Sequence, residues 1–156
     1  MQDNFRSHKL IGMAGELFTA FELAMINVHC DLVKQDGTDI VAIKGPGIIF
    51  AQRIEVKAST YIDEKNCYCF STSKGGQKKV YTKNDCDILA LVSLPQRNIR
   101  FYSVGLIKGM TKKIHVNTFE NEKDLIAKSW EESLANSLSE SKKLLEDLYD
   151  NKQEVI

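Results

Sequence analysis

The sequence predicts a mixed α/β fold, and three observations carry the prediction. Apolar residues recur at helical spacing from about residue 8 to 27. Short β-rich segments fill the middle of the chain. The stretch from about 122 to 150 is polar but carries an apolar stripe of helical period. Helix, several strands, then helix is the order of a mixed α/β domain. At 156 residues, with no internal repeat and no linker-like composition, residues 1–156 read as one domain.

The elements follow in order. Ser7 can cap the first helix. Leu10, Ala14, Leu17, Phe18, Phe21, Met25 and Val28 recur at helical spacing and are expected to face the core. Val28 to Val33 begins a strand, and Gln35-Asp36-Gly37 is a turn. Ile40 to Ile43 is a second strand, closed by Gly45-Pro46-Gly47. Ile48 to Ser59 is the clearest strand: Ile54, Val56 and Ala58 point one way, Arg53, Glu55, Lys57 and Ser59 the other. Cys67 to Ser71 alternates like a strand, with both cysteines on one side. The Lys/Gly-rich run after it is a loop or short helix. Asp87 to Leu94 is short and apolar, as a buried strand is. Ile99 to Val104 reads as an edge strand and Ile114 to Phe119 as one more. In the final helix Ile126, Trp130, Leu134 and Leu138 lie four apart, followed by Leu145 and Leu148.

Composition narrows the function classes. Hydrophobic residues make up 43% and charged residues 27%, ordinary for a water-soluble fold. No apolar run approaches the roughly 18 residues of a membrane helix. The polar start Met1-Gln2-Asp3-Asn4 is unlike a secretory leader, so a cytoplasmic location is expected. Cys30, Cys67, Cys69 and Cys86 form no CxxC pair and have no His-x3-5-His companion, which argues against zinc and for reduced thiols. Formal net charge is zero, which disfavours a general polyanion binder. Local basic patches remain: Lys74, Lys78, Lys79 and Lys83 in one segment, and Lys108 to His115 in another. Either can equally be a solvated loop.

Chemistry concentrates in four positions. The pattern acidic-x-Lys occurs four times (Glu55/Lys57, Asp63/Lys65, Glu140/Lys142, Asp150/Lys152), so the pattern alone decides nothing. Only Glu55-Val56-Lys57 lies in an apolar, β-rich run, where period-2 geometry puts both charges on one face. Asp39 stands where the Gly37-Thr38 turn feeds an apolar strand. Glu16 lies beside the apolar stripe of the first helix among small and apolar neighbours, where a carboxylate needs a partner. Taken singly these are a solvent-facing strand, a turn cap and a boundary glutamate. Taken together, a helix Glu, a turn-strand Asp and a strand Glu-x-Lys resemble the PD-(D/E)XK nuclease superfamily. The likeness is greatest to its small Holliday-junction-resolvase-like and homing-endonuclease-like branch. The resemblance covers about residues 8–92. Thr38 stands where the motif's name has proline.

That resemblance implies a restriction-endonuclease-like core, with a mixed central sheet flanked by helices. It implies a Mg²⁺-dependent deoxyribonuclease, with Mn²⁺ able to substitute. Glu16, Asp39 and Glu55, with the main-chain carbonyl of Val56, would hold the metal, and Lys57 would act on the attacking water and the developing charge. DNA, duplex or branched, is the implied partner, with Lys74, Lys78, Lys79 and Lys83 as candidate phosphate contacts. Gln77-Lys78-Lys79-Val80-Tyr81 resembles the QxxxY element of one branch; a helix there would set Gln77 and Tyr81 on one face, while a basic loop would not. The amphipathic C-terminal stripe and the small size point to a homodimer or higher symmetric oligomer. Trp130 is its candidate anchor, unless it packs on its own core. The competing readings are a catalytically inactive nucleic-acid-binding relative and an unrelated α/β module.

Overall fold

The structure is a computed structural model that describes residues 7–43, 51–75, 79–120 and 124–153. The expected turn at Gly45 to Gly47, the expected strand residues 48–50, Gln77 and Lys78 lie outside these residues, as does the side chain of Leu148. Helix α1 spans His8–Met25; Ser7 caps it, its side chain accepting the Leu10 N–H at 3.3 Å. Among the described residues nine strands follow: β1 His29–Gln35, β2 Thr38–Ile43, β3 Ala51–Ser59, β4 Cys67–Ser71, β5 Ser73–Lys74, β6 Lys79–Val80, β7 Ile88–Ser93, β8 Asn98–Ser103 and β9 Thr111–His115. Helix α2 closes the chain at Asp124–Gln153. No described helix is long and apolar enough to cross a membrane.

The main sheet has the order β1-β2-β3-β7-β8. Its centre, β3 beside β7, is parallel, and every other neighbour pair is antiparallel. The Gly37 φ of +76° makes the tight β1–β2 turn, a conformation glycine adopts without a Cβ penalty. Strand β7 is buried at all six positions, because both faces of the sheet are covered. On one face Ile40, Ala42, Ile54, Val56, Ile88, Ala90, Val92, Ile99 and Phe101 pack against the two helices. On the other, Leu89 and Leu91 meet Tyr68, Phe70, Ile114 and Phe119 of the small β4–β9 layer. The alternation read for residues 53–59 therefore separates two buried layers rather than a core from solvent.

Three expectations change. Most of the expected α1 stripe does not face the core: Val28 is buried and Phe18 packs against the core, but Leu10, Ala14, Leu17, Phe21 and Met25 are exposed, and the helix buries Gly15, Thr19 and Leu23 instead. Close approach is the reason. A Cβ on Gly15 would lie 2.6 Å from the Ala58 Cβ on β3, so only a small residue lets this helix meet the sheet there. Trp130 is 4% exposed and stacks edge-on against Phe101, ring centroids 5.3 Å apart, so it anchors α2 to its own sheet and not to a subunit. The strand expected at Ile114 to Phe119 runs instead from Thr111 to His115, opposite β4 from Ser71 to Cys67, and one further backbone bond, Val116 N–H to the Asn66 carbonyl at 2.9 Å, closes the pairing. The His115 ring then accepts the Asn117 N–H at 3.3 Å, and the chain continues as a 3-10 turn.

Candidate active site

The two antiparallel registers and the β3–β7 pairing bring the selected residues together. Ile40 pairs with Ile54, so Asp39 falls beside Glu55 on the sheet face opposite the helices. An Asp39 carboxylate oxygen accepts the Val56 N–H at 2.7 Å, which fixes the aspartate against β3. Thr38 is buried, and its hydroxyl donates to the Asp85 carbonyl at 3.3 Å, a tie that proline at this position could not make. Glu16 enters from α1. Glu16, Asp39 and Glu55 line one cavity of about 570 Å³ with Lys9, Met13, Lys74 and Tyr81. Lys9 and Met13 line the cavity but belong to no motif, so no pattern in the chain points to them.

Glu55 is only 7% exposed, and its satisfaction is specific. One carboxylate oxygen lies 2.6 Å from the Lys57 ammonium and accepts the Tyr81 hydroxyl at 2.7 Å; Lys57 also donates to the Tyr81 oxygen at 3.0 Å. Burial alone would lower the Lys57 pKa, but the Glu55 charge and the two hydrogen bonds raise it above the ordinary lysine value, so it is held as a cation. Burial pushes the Tyr81 phenol up to about 12, keeping it a donor at neutral pH. Asp39 moves the other way from a typical carboxylate. Burial first, then the negative charges of Glu55 and Glu16, push it up to about 6 against the stabilising Val56 N–H.

Tyr81 therefore joins the site, but not through a helix. Strands β5 and β6 pair as a short hairpin, and Tyr81 follows β6 directly into the cavity. The lysines of this segment diverge. Lys74 lines the cavity and forms an ion pair with Asp85, and Lys79 is exposed. Lys83 turns away into the α2 seam, where it donates to the Ser137 hydroxyl at 2.6 Å and carbonyl at 3.0 Å. Ser137 in turn donates to Gln52 at 2.7 Å. Lys83 is thus a tie between helix and sheet rather than a free phosphate contact.

Three carboxylates around one cavity form a hard oxygen donor set, and Mg²⁺ needs only one or two of them because it keeps several waters. Among the described residues no three acidic, His or Cys side chains are gathered tightly enough to cage an ion. Burial first, with the charges of Glu55 and Glu16 behind it, raises the Asp39 carboxyl, and a cation in the cavity would favour its ionised form. The residues present fit a divalent metal on this ground.

No protein-family model matches the sequence, and no curated protein matches it. The fold is nonetheless similar to solved structures. A bacterial homing endonuclease, I-Ssp6803I, superposes with a TM-score of 0.62 at 14% identity, over 88% of this chain and 98% of that one. Hjc, a Holliday junction resolvase from the archaeal hyperthermophile Archaeoglobus fulgidus, aligns with a TM-score of 0.44 at 22% identity, over 69% of this chain and 86% of that one. The chain has the restriction-endonuclease-like fold expected of it, a mixed central sheet flanked by helices.

Proposed function

We propose that this protein is a divalent-metal-dependent endonuclease that hydrolyses phosphodiester bonds of DNA. The observation that carries the reading is that Glu16, Asp39 and Glu55 line one cavity while Lys57 is bonded to Glu55 at 2.6 Å, in a fold similar to that of a homing endonuclease. Asp39 and Glu55, with Glu16 beside them and the Val56 carbonyl as a further oxygen, would hold Mg²⁺ or Mn²⁺. Bound there, the ion supplies charge against the phosphodiester oxygen and lowers the pKa of water.

The chain's own residues do the rest. Lys57, held as a cation against the cavity-lining Glu55 and Tyr81, would orient the attacking water and stabilise the charge that develops on the phosphoryl oxygens. Tyr81 and Glu55 hold that ammonium in place from two sides. Lys74 lines the cavity, and Lys79, exposed and paired opposite it in the β5–β6 register, would with it meet neighbouring phosphates; Lys78, in the same segment, belongs to this proposed set. The DNA form is open among four-way junctions and linear duplex. The deciding experiment is cleavage of a panel of linear duplex, single strand, flap and four-way junction with Mg²⁺, Mn²⁺ or EDTA, wild type beside Asp39→Asn. Metal-dependent cutting that Asp39→Asn loses supports the reading. Binding of DNA without cutting under every metal would instead support the inactive relative.

A further inference from the structure

Helix α1 carries a face that the described chain does not cover. Leu10, Met13, Leu17, Phe21 and Met25 are 52, 50, 52, 58 and 65% exposed, and Ala14 and Ala24 between them are exposed as well. At 3.6 residues per turn these seven occupy one arc of about a third of the helix circumference, with no polar residue inside it. The stripe runs about 22 Å along the axis at 1.5 Å per residue. Leu32, 49% exposed on the edge strand β1, widens the patch. It shares the sheet face of Cys30, whose thiol points at the Ala20 carbonyl of α1 at 3.8 Å.

The size of the face indicates its occupant. A half-exposed large side chain leaves roughly 100 Å² in water, so the five present about 500 Å². That is near the upper end for a monomer's largest apolar patch. Two such faces meeting would bury about 1,000 Å², the area at which specific association begins. The face is also suited to a copy of itself. It has no charge to repel its own image, and Leu17 stands near its middle, with Leu10 and Met25 toward its two ends. A two-fold axis there sets the helices antiparallel and places Leu10 of one copy toward Met25 of the other, an isologous contact.

We propose that two copies of this chain pair through the outward face of α1, antiparallel about a two-fold axis near Leu17. The pairing does not depend on the nuclease reading. If that reading also holds, the dimer fixes two cavities relative to each other, because Lys9, Met13 and Glu16 of the same helix line the site.

Light scattering of the full chain after size exclusion, at micromolar concentration, tests the proposal without reading cleavage. The wild type is expected at twice the 17.6 kDa chain mass. Leu17→Glu and Leu17→Lys, each alone, are expected at the monomer mass with an unchanged circular dichroism spectrum, since Leu17 points away from the core. An equal mixture of the two should recover the dimer, because at the axis each position 17 faces the other. A monomeric wild type, single variants that keep the dimer mass, or a mixture that stays monomeric would each overturn the pairing.

Discussion

Tyr81 donates its phenolic hydrogen to a Glu55 carboxylate oxygen over 2.7 Å. The bond spans 26 residues of sequence and joins the β5–β6 hairpin to the central strand. Tyr81→Phe keeps the ring and removes the donor. A hydrogen bond to a charged group contributes about 1.5 to 3 kcal/mol, so the variant should unfold at lower urea with an unchanged slope. Cleavage should fall through kcat rather than KM, because Lys57 loses one of the two groups that position it. An unchanged kcat would show that the hydroxyl serves stability alone.

Lys57→Ala should reduce cleavage by about 100- to 1000-fold, the loss typical of one electrostatic group used mainly in the transition state. DNA binding and metal-induced stabilisation should persist, and the melt should fall slightly, since Glu55 retains Tyr81 as a partner. Lys65→Ala is the control. Lys65 is exposed, and its neighbour Asp63 accepts from Lys113 at 2.9 Å instead, so this Asp-x-Lys does no comparable work. A Lys57→Ala rate above about a third of wild type would sink the assignment.

The Asp39 carboxyl, raised to about 6 when folded, gives a signed pH prediction. Its unfolded value is near 3.9. A raised folded pKa contributes stability that is present below about pH 4 and lost as pH rises through about 6. Metal-free protein should therefore lose on the order of 2 kcal/mol from this group between pH 4 and pH 7. Mg²⁺ should restore it, most strongly above pH 6, because the ion must displace a proton below that. Thermal melts of wild type and Asp39→Asn, each with Mg²⁺ and with EDTA, isolate the effect. Equal pH and metal responses in the two proteins would remove Asp39 from the ligand set.

Much of the site was legible in the sequence because period-2 geometry fixes which strand residues share a face. Glu55 and Lys57 follow from that rule, and Asp39 falls beside them once β2 pairs antiparallel with β3. The α1 face was not legible. Apolar residues surround most of that helix, so periodicity shows an amphipathic element without showing which stripe turns inward. Contact with the sheet selected Gly15 and Thr19, with Leu23 a turn further on, and left Leu10, Leu17, Phe21 and Met25 outside. Tyr81 was found for a different reason than the one that holds it: the Gln77/Tyr81 spacing suggested a helix, whereas a hairpin delivers the tyrosine. For Lys83, the local charge cluster carried no information about direction, which a serine 54 residues away decides.

Lys83 and Lys79 should therefore behave oppositely. Lys83→Met should lower the melting temperature, since it removes the donor to Ser137 and the cation beside Asp87 and Glu140, a loss of about 1 to 3 kcal/mol. DNA affinity of the folded variant should keep its salt dependence. Lys79→Ala should leave the melt unchanged and reduce the slope of log affinity against log salt by about one. Fluorescence anisotropy at several salt concentrations, beside thermal melts, checks both. A reduced salt slope for Lys83→Met with an unchanged melt would restore it to the phosphate contacts.

Two glycines on one helix make the sharpest packing test. Nothing lies within 4 Å of a Cβ added at Gly12, whereas at Gly15 it would meet Ala58 Cβ at 2.6 Å, on the backbone-proximal part of the neighbouring strand. Alanine is the better helix former by about 1 kcal/mol, and this gain is the same at both sites. At Gly12 it stands alone, so Gly12→Ala should raise the melting temperature by about 2 to 4 °C for a chain of this size. At Gly15 it is opposed by overpacking of about 1 to 3 kcal/mol, since neither methyl can rotate away. Helix and sheet must separate locally, so Gly15→Ala should lower the melting temperature. Because Glu16 is the next residue, the same separation should move its carboxylate relative to Asp39 and weaken metal-induced stabilisation. Gly12→Ala should leave that response intact. If Gly15→Ala is as stable as Gly12→Ala, the close contact of α1 with β3 at Ala58 is not what holds the helix in place.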